Sequence, residues 1–210
     1  MVINRLIAGF RSFRETYYDS RPEFYQRLVE KGQHPVAMVI ACSDSRVNPS
    51  IIAGTEPGEL FIVRNVANLV PPYEPDGRHH GTSTAIEFAV RDLGVADIIV
   101  LGHSHCGGVR YLCESDGGAG EHEFMASWMS IAQEARDESL EGEARLRHAE
   151  RETVKISLQN LLTFPWIADR VAEGRLGLHG WWFDLAAGDL LIHEVGGEWK
   201  SLASAPQYPK

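Results

Sequence analysis

With 210 residues, of which 44% are hydrophobic and 23% charged, the chain has the size and composition of one large soluble globular domain. The net charge of -9 and the lack of any Lys/Arg-rich run argue against a nucleic-acid partner. No apolar run approaches the roughly 20 residues of a membrane span. Three cysteines without a recognisable secretion signal favour metal binding or catalysis over a disulfide framework. We therefore expect a cytoplasmic protein with neither a nucleic-acid nor a membrane partner.

The first 34 residues are predicted to form a helical arm. Between Asn4 and Lys31, aromatic and leucine side chains recur at roughly helical spacing, which predicts one or two amphipathic helices with a break at Pro22. These side chains are Phe10, Phe13, Tyr17, Phe24, Tyr25 and Leu28. Such an arm suits a clamp on a partner subunit or a helix packed on its own domain, and the periodicity is compatible with both.

Three short apolar runs predict a parallel sheet. They are Val36–Ala41, Leu60–Val63 and Asp97–Leu101. Continuous apolar strands separated by helices are typical of a parallel sheet that is covered on both faces. Between the second and third runs, Thr82–Leu93 predicts a helix with Thr82 or Ser83 as its cap, so this stretch is a βαβ unit.

The second half of the chain is predicted to be mainly helical and to close with a hairpin. A turn that holds Gly188 separates the two strands of this hairpin. The predicted elements are a helix over Cys106–Cys113, the Gly-rich stretch Asp116–Gly120, helices around Phe124–Glu138 and Ala144–Leu162, and strands Leu178–Leu185 and Leu190–Val195.

Two polar clusters follow predicted strands, Cys42 to Arg46 after the first and His103 to Gly108 after the third. Ligands bind at the carboxyl ends of the strands in open α/β sheets, so the two clusters are expected to converge. Sulfur and imidazole ligands suit zinc, and three protein ligands leave the fourth tetrahedral position to water. Cys42, His103 and Cys106 are therefore predicted to bind zinc, and a helix amino terminus at Cys106 should favour its thiolate.

The fourth position at the metal has two rival candidates. Cys113 would lie about 10 Å along a helix from Cys106, too far for both sulfurs to share one ion, so we expect it to be a small buried hydrophobic residue. Asp44 is able to reach the metal, but Arg46 can hold its carboxylate in a bidentate ion pair. A plain structural ion pair is the simpler alternative for these two residues.

The formal charge of zinc with its three ligands suggests a role for Asp44. Zinc with two thiolates and one imidazole is formally neutral, so it should acidify its water less than a zinc ion held by three imidazoles. Asp44 is therefore predicted to accept the hydrogen bond of zinc-bound hydroxide, while Arg46 keeps the carboxylate off the metal.

Three further histidines have simpler interpretations than metal binding or catalysis. His79 and His80 are expected to lie in a surface loop between Pro75 and Gly81. His105 is expected to be an exposed turn residue, and a role as proton shuttle is the alternative.

These motifs resemble the β-class carbonic anhydrases. The strings Cys42-Ser-Asp-Ser-Arg46, Arg64-Asn-Val-Ala-Asn68 and Gly102-His-Ser-His-Cys-Gly-Gly108 occur in the order of that family, and the likeness extends in patches from about Gly9 to Val195. The resemblance implies an α/β fold: a parallel sheet with an antiparallel extension, flanking helices and an N-terminal helical arm. It implies one domain over 1–210, with the arm at 1–34.

The same resemblance implies the activity of a carbonate dehydratase. In that family Zn²⁺ is bound by two Cys and one His, which correspond to Cys42, His103 and Cys106. An Asp–Arg dyad, here Asp44 and Arg46, orients zinc-bound hydroxide, which hydrates carbon dioxide to bicarbonate and a proton.

The likeness looks closest to the plant-type branch of the family. Gln33 stands where that branch has a substrate-facing glutamine contributed across the dimer interface, and Phe61, Val66 and Gly107 match its apolar pocket. Phe88 occupies the position of the pocket tyrosine in that branch, so the hydrogen bond from a tyrosine hydroxyl should be missing here. The resemblance implies a dimer or a dimer of dimers, with the arm exchanged between subunits.

Another branch of the family has an allosteric bicarbonate site built from Trp, Arg and Tyr. Val39, Arg64 and Phe183 stand at those positions here, so two of the polar groups are lost. The hypothesis is that this site is absent, and that Asp44 stays on Arg46 instead of closing onto zinc at mildly acidic pH.

Two rival functions stay open from the sequence. Some relatives hydrolyse carbon disulfide, and this linear apolar triatomic molecule would suit the same pocket. The second rival is a structural zinc module in which Asp44 fills the fourth position and the fold serves assembly.

Overall fold

The structure is a computed structural model that describes residues 1–115, 122–193 and 197–203. The chain divides into two compact units, Met1–His34 and Pro35–Lys210. Among the described residues, no helix has both the length and the apolar character that crossing a membrane requires.

The first unit is a pair of helices. Helix α1 spans Val2–Phe13 and continues into a π-helical turn over Arg14–Tyr18, and helix α2 spans Pro22–Lys31. Pro22 lies in the first turn of α2, where its missing N–H carries no penalty, so the predicted break is confirmed. Stacked aromatic rings connect the two helices, with the ring centroids of Tyr18 and Tyr25 4.7 Å apart. None of the described residues of α1 and α2 is buried.

In the described part of the chain, the second unit is built on a six-stranded mixed sheet with the strand order β2-β1-β3-β4-β5-β6. The strands are β1 Ala37–Cys42, β2 Leu60–Asn65, β3 Asp97–His103, β4 Gly177–Asp184, β5 Asp189–His193 and β6 Trp199–Ser201. The first four are parallel to one another and the last two extend the sheet antiparallel. The predicted parallel sheet with an antiparallel extension is therefore confirmed.

Six α-helices follow in chain order among the described residues of the second unit. They are α3 Pro49–Ala53, α4 Gly81–Glu87, α5 Gly107–Glu114, α6 Met125–Met129, α7 Gly142–Leu161 and α8 Pro165–Ala172. A π-helical turn over Phe88–Asp92 continues α4, and a 3₁₀ segment over Ser130–Ala135 continues α6.

Several details of the sequence prediction were wrong or incomplete. The predicted cap of α4 is wrong, because the helix begins at Gly81 after His80, so Thr82 and Ser83 lie inside its first turn. Helices α3 and α8 and strand β6 were not predicted. The sequence did contain a signal for α3, because asparagine is a preferred residue at the start of a helix. In the structure, the Asn48 side chain accepts a hydrogen bond from the Ser50 N–H at that position. The Gly-rich stretch Asp116–Gly120 and Val195 lie outside the described residues.

Glycines let α7 pack closely on the sheet. A Cβ at Gly102 in β3 would come within 2.6 Å of the Val154 side chain of α7, and one at Gly180 in β4 would meet both Val154 and Leu158. Val154 itself is fully buried. Close packing at these positions fixes α7 against the strand that leads to His103.

The pairing of β1 with β3 places two chain segments at one edge of the sheet. The strands are parallel neighbours, with Ala41 opposite Leu101. Both strands therefore end on the same side, which brings Cys42, the last residue of β1, and His103, the last residue of β3, to a common edge.

Candidate metal centre

Three buried side chains meet at this edge. Cys42 and His103 end β1 and β3, and Cys106 is the residue that precedes α5. One ligand atom from each of the three lies within 4.8 Å of the others, and the two sulfur atoms are 3.9 Å apart. The structure therefore brings together the three side chains that the sequence predicted as metal ligands.

The ring of His103 has one nitrogen within 4.8 Å of both sulfur atoms. Its Nδ1 donates a hydrogen bond to the Ser104 carbonyl at 2.8 Å, which leaves Nε2 with a free lone pair. Nε2 is buried and has no hydrogen-bond partner among the described residues. A buried ring nitrogen with this orientation, beside two sulfurs, fits a metal ligand, because metal-binding histidines commonly donate their other N–H to a carbonyl.

The two thiols are coupled through the hydrogen bond between their sulfur atoms. The hydrogen bond from Cys106 lowers the pKa of Cys42, whereas the same bond and burial raise the pKa of Cys106. The backbone N–H groups of Gly108 and Val109 in α5 do lower the pKa of Cys106, as the sequence predicted, but the hydrogen bond with Cys42 and burial outweigh them. A metal cation would take the place of the proton between the sulfurs and favour both thiolates.

Asp44 and Arg46 form a bidentate ion pair next to the three side chains. Asp44 Oδ1 accepts hydrogen bonds from the backbone N–H and the Nε of Arg46, both at 2.9 Å, and Oδ2 accepts one from Nη2 at 2.6 Å. The guanidinium holds the pKa of Asp44 well below its usual range. Since each carboxylate oxygen has two lone pairs, Oδ2 keeps capacity for one more donor.

Arg64 holds the loop that carries Asp44. Its guanidinium donates to the carbonyls of Cys42, Asp44 and Val47 at 2.9, 2.6 and 2.6 Å. Arg64 is also one of the three positions that correspond to the allosteric bicarbonate site of another branch. Of the other two, Val39 is buried and Phe183 is partly buried. The hypothesis that no bicarbonate site forms here stays a prediction.

A sequence model of the carbonic anhydrase family matches residues 37–190 of this chain. The chain belongs to the β-class carbonic anhydrases. It is 38% identical over 189 residues to β carbonic anhydrase 5 of Arabidopsis chloroplasts, a match that covers 87% of this chain and 62% of the plant protein. It is also 38% identical over 210 residues to a carbonic anhydrase of Pseudomonas aeruginosa, covering 98% and 93% of the two chains.

Solved β-carbonic anhydrase structures share the fold. The structure of CcaA superposes with a TM-score of 0.86 at 34% identity and covers 98% of this chain and 92% of its own. One of two tetrameric enzymes from Sordaria macrospora gives a TM-score of 0.80 at 28% identity, covering 91% and 96%. The predicted family, fold class and enzyme class, carbonate dehydratase, are confirmed. The β-carbonic anhydrases are metalloenzymes, in line with the Cys–His–Cys group of this chain.

The predicted substrate-pocket residues fall into three groups. Val66 and Gly107 lie near the metal centre: a Cβ on the adjacent Gly108 would come within 2.6 Å of Val66, whereas a Cβ on Gly107 would meet open space. Phe61 and Phe88 contact each other, with ring centroids 5.9 Å apart, and line a surface cavity whose lining includes none of the three candidate ligands. Gln33 is exposed and belongs to the first unit.

The other residues singled out from the sequence have the following places. Cys113 is buried and, among the described residues, lies outside the metal-binding group, as predicted. His79 is exposed, and His80 contacts Asp76 in the surface loop. His105 lies in a turn, as predicted, but the expected exposure is wrong, because its side chain is partly buried and its Nδ1 contacts Arg147 at 3.0 Å.

Sequence reasoning missed one functional candidate, the carboxylate of Glu150. This residue of α7 is buried, and it accepts a hydrogen bond from the backbone N–H of Cys106 at 3.2 Å. The only sequence signal was a charged residue on what becomes the buried face of a helix, and that face is not defined until α7 docks on β3.

Arg64→Met is expected to lower the free energy of unfolding by about 1.5–3 kcal/mol, because three carbonyls lose a charged donor. Arg110→Met is the matched control, since Arg110 is exposed and forms an ion pair across one helical turn with Glu114, so a change below about 0.5 kcal/mol is expected. Urea denaturation measures both. Equal losses in the two variants would contradict a structural role for Arg64.

Proposed function

We propose that this protein hydrates carbon dioxide reversibly to bicarbonate and a proton with zinc bound by Cys42, His103 and Cys106. The observation that carries the proposal is a buried imidazole within 4.8 Å of two sulfurs, whose Nε2 has no hydrogen-bond partner among the described residues, beside an anchored carboxylate. Two sulfurs and one imidazole are a donor set that zinc accepts, and three protein ligands are the number found at catalytic zinc sites.

The residues around the metal centre divide the chemistry between them. Zinc, when bound, supplies Lewis-acid activation of water near neutral pH. Asp44 accepts a hydrogen bond from the attacking water at Oδ2, which directs the water's free lone pair toward the carbon of the substrate. Arg46 keeps Asp44 ionised and occupies the other acceptor sites of the carboxylate, so Asp44 is held away from the metal.

The substrate pocket is proposed to be apolar. Val66 and Gly107 form the part next to the metal centre, and the open space at Gly107 leaves room for a small linear molecule. Phe61, Phe88 and Gln33 complete the pocket in an oligomer. Because Phe88 lacks a hydroxyl group, hydrogen bonds to the substrate come from the remaining polar groups.

Stopped-flow hydration of carbon dioxide, combined with zinc analysis, tests the proposal. We expect about one zinc per chain, rapid hydration, loss of both after treatment with a strong chelator, and recovery of both when zinc is added back. Zinc without hydration would instead indicate the structural zinc module. Carbon disulfide hydrolysis in the same preparation, without carbon dioxide hydration, would indicate the other rival.

Asp44→Asn is expected to reduce the turnover number for carbon dioxide by at least about 100-fold while zinc content is unchanged, because the amide loses its anchored geometry and presents a donor to the water. Asp76→Asn is a close control: Asp76 also binds the backbone N–H and the guanidinium of the arginine two residues on, but in a surface loop. Its turnover should match the wild type. Retained turnover in Asp44→Asn would refute the role of Asp44.

The N-terminal arm is proposed to bind a second copy of the chain and bring Gln33 to the partner's pocket. One side of α1 carries Ile3, Leu6, Ile7 and Phe10, whose exposed fractions are 58%, 57%, 47% and 62%. A continuous apolar face of this kind indicates a protein interface. The tetrameric relatives from Sordaria support an oligomer, either a dimer or a dimer of dimers.

Phe10→Glu is expected to shift the protein to a smaller oligomer in analytical ultracentrifugation, because a carboxylate would be buried in the apolar interface. Ser12→Glu adds the same charge on the opposite side of α1 and should leave the sedimentation coefficient unchanged. If both variants sediment like the wild type, the arm is not the interface.

A further inference from the structure

The turn between His103 and Cys106 has a backbone conformation that requires support. His105 has φ +58°, in the left-handed region that residues other than glycine adopt at a cost. Two arginines bind this residue: Arg46 Nη2 donates to its carbonyl at 2.9 Å, and Arg147 Nη2 donates to its Nδ1 at 3.0 Å. Such conformations persist where surrounding contacts hold them.

A second contact from α7 reaches the next residue. Glu150 Oε1 accepts the Cys106 N–H at 3.2 Å, and Glu150 Oε2 pairs with Arg147 Nη1. The Glu150 side chain is only 1% exposed. A carboxylate buried to this degree is stable only when its charge is paired and its oxygens are hydrogen-bonded, and these two contacts satisfy both requirements.

Arg147 joins the two contacts into one network. Its guanidinium binds Glu150, His105 and also Glu143, one turn earlier on the exposed side of α7. The side chain is therefore held at several nitrogens, and the forked geometry of a guanidinium suits this arrangement better than the single ammonium of lysine. Since α7 packs closely on β3 at Gly102, the network rests on a rigid element.

We propose that Glu150 and Arg147 are positioning residues that hold the His105–Cys106 turn in the conformation required for Cys106 to bind the metal. This inference rests on the proposed zinc site. Glu150 fixes the peptide of Cys106 and Arg147 fixes the preceding side chain, so the sulfur is pre-placed opposite Cys42. Arg46 extends the network to Asp44, because the same guanidinium binds the Asp44 carboxylate and the His105 carbonyl.

The network predicts slower metal release than the three ligands alone would give. Loss of a partner that orients a metal ligand typically weakens metal binding by about 10- to 100-fold. Without Arg147, the His105 turn is free to relax, and Glu150 keeps a buried charge without its counterion. Cys106 should then leave the metal more readily, although none of the ligand atoms has been changed.

The test is the rate of zinc release from the full-length protein into an excess of a chromogenic chelator. Arg147→Met is expected to release zinc at least about tenfold faster than the wild type. Lys155→Met is the matched control, because Lys155 also forms an ion pair on α7 with a glutamate three positions away, Glu152. This variant should release zinc at the wild-type rate. Thermal unfolding of each variant separates lost positioning from lost folding.

A double-mutant cycle distinguishes a joint network from separate contacts. His105→Asn removes the ring but tolerates the left-handed backbone. If Arg147 acts through His105, the double variant should release zinc no faster than Arg147→Met alone. Should Arg147→Met prove unstable, Arg147→Lys is the second variant. It keeps a positive charge beside Glu150 but lacks the forked guanidinium, and it should release zinc at an intermediate rate.

The outcomes separate this inference from the proposed function. Wild-type release rates in Arg147→Met, or effects that multiply in the double variant, would overturn the positioning network while leaving the zinc site intact. A wild-type protein that retains no zinc after purification in its presence would overturn the proposed function itself, and the network with it.

Discussion

The parallel pairing of β1 with β3 is the constraint on which the candidate metal centre depends. Strand β1 ends at Cys42 and strand β3 ends at His103, and their register places both ends at the same edge of the sheet. No flexible loop is needed to bring a sulfur and an imidazole together, since both leave the sheet from buried strands. The third side chain, Cys106, follows within one turn, where the chain reverses from β3 into α5.

Charge organises the residues around this centre. The hydrogen bond between the two thiols lowers the pKa of Cys42 and raises the pKa of Cys106, so the two sulfurs do not ionise independently. The carboxylate of Asp44 is kept apart from them by Arg46, which binds both of its oxygens. Arg46 thereby occupies the Asp44 carboxylate, which leaves the two sulfurs as the anionic groups available to a metal cation.

Backbone carbonyls and amides complete the support. Arg64 binds three carbonyls of the Asp44 loop, and Glu150 binds the Cys106 N–H. The close approach of Gly108 to Val66 brings the start of α5 against the turn that follows β2. Each of these contacts joins segments that are distant in sequence, so the geometry of the centre depends on packing of the whole second unit.

Local patterns in the sequence were sufficient to predict the main helices and strands and the candidate metal ligands. Apolar runs without alternation indicated buried parallel strands, and polar clusters after two of them indicated Cys42, His103 and Cys106, together with the Asp44–Arg46 pair. Short elements such as α3 and β6 were missed because few residues carry their signal, and the cap of α4 was misplaced because Thr82 and Ser83 are equally compatible with a first turn. Helix α3 shows how weak such a signal is, since one side-chain cap at Asn48 begins it.

The amino-acid sequence by itself determined which side chains were available for metal chemistry and which strands would carry them, because ligand types and strand periodicity are local properties. Only the tertiary structure decided how those side chains are supported. Arg147 and Glu150 lie more than 40 positions after His105 and Cys106 along the chain. Their contacts exist only because α7 packs against β3, and no local pattern encodes which face of a charged helix will be buried there.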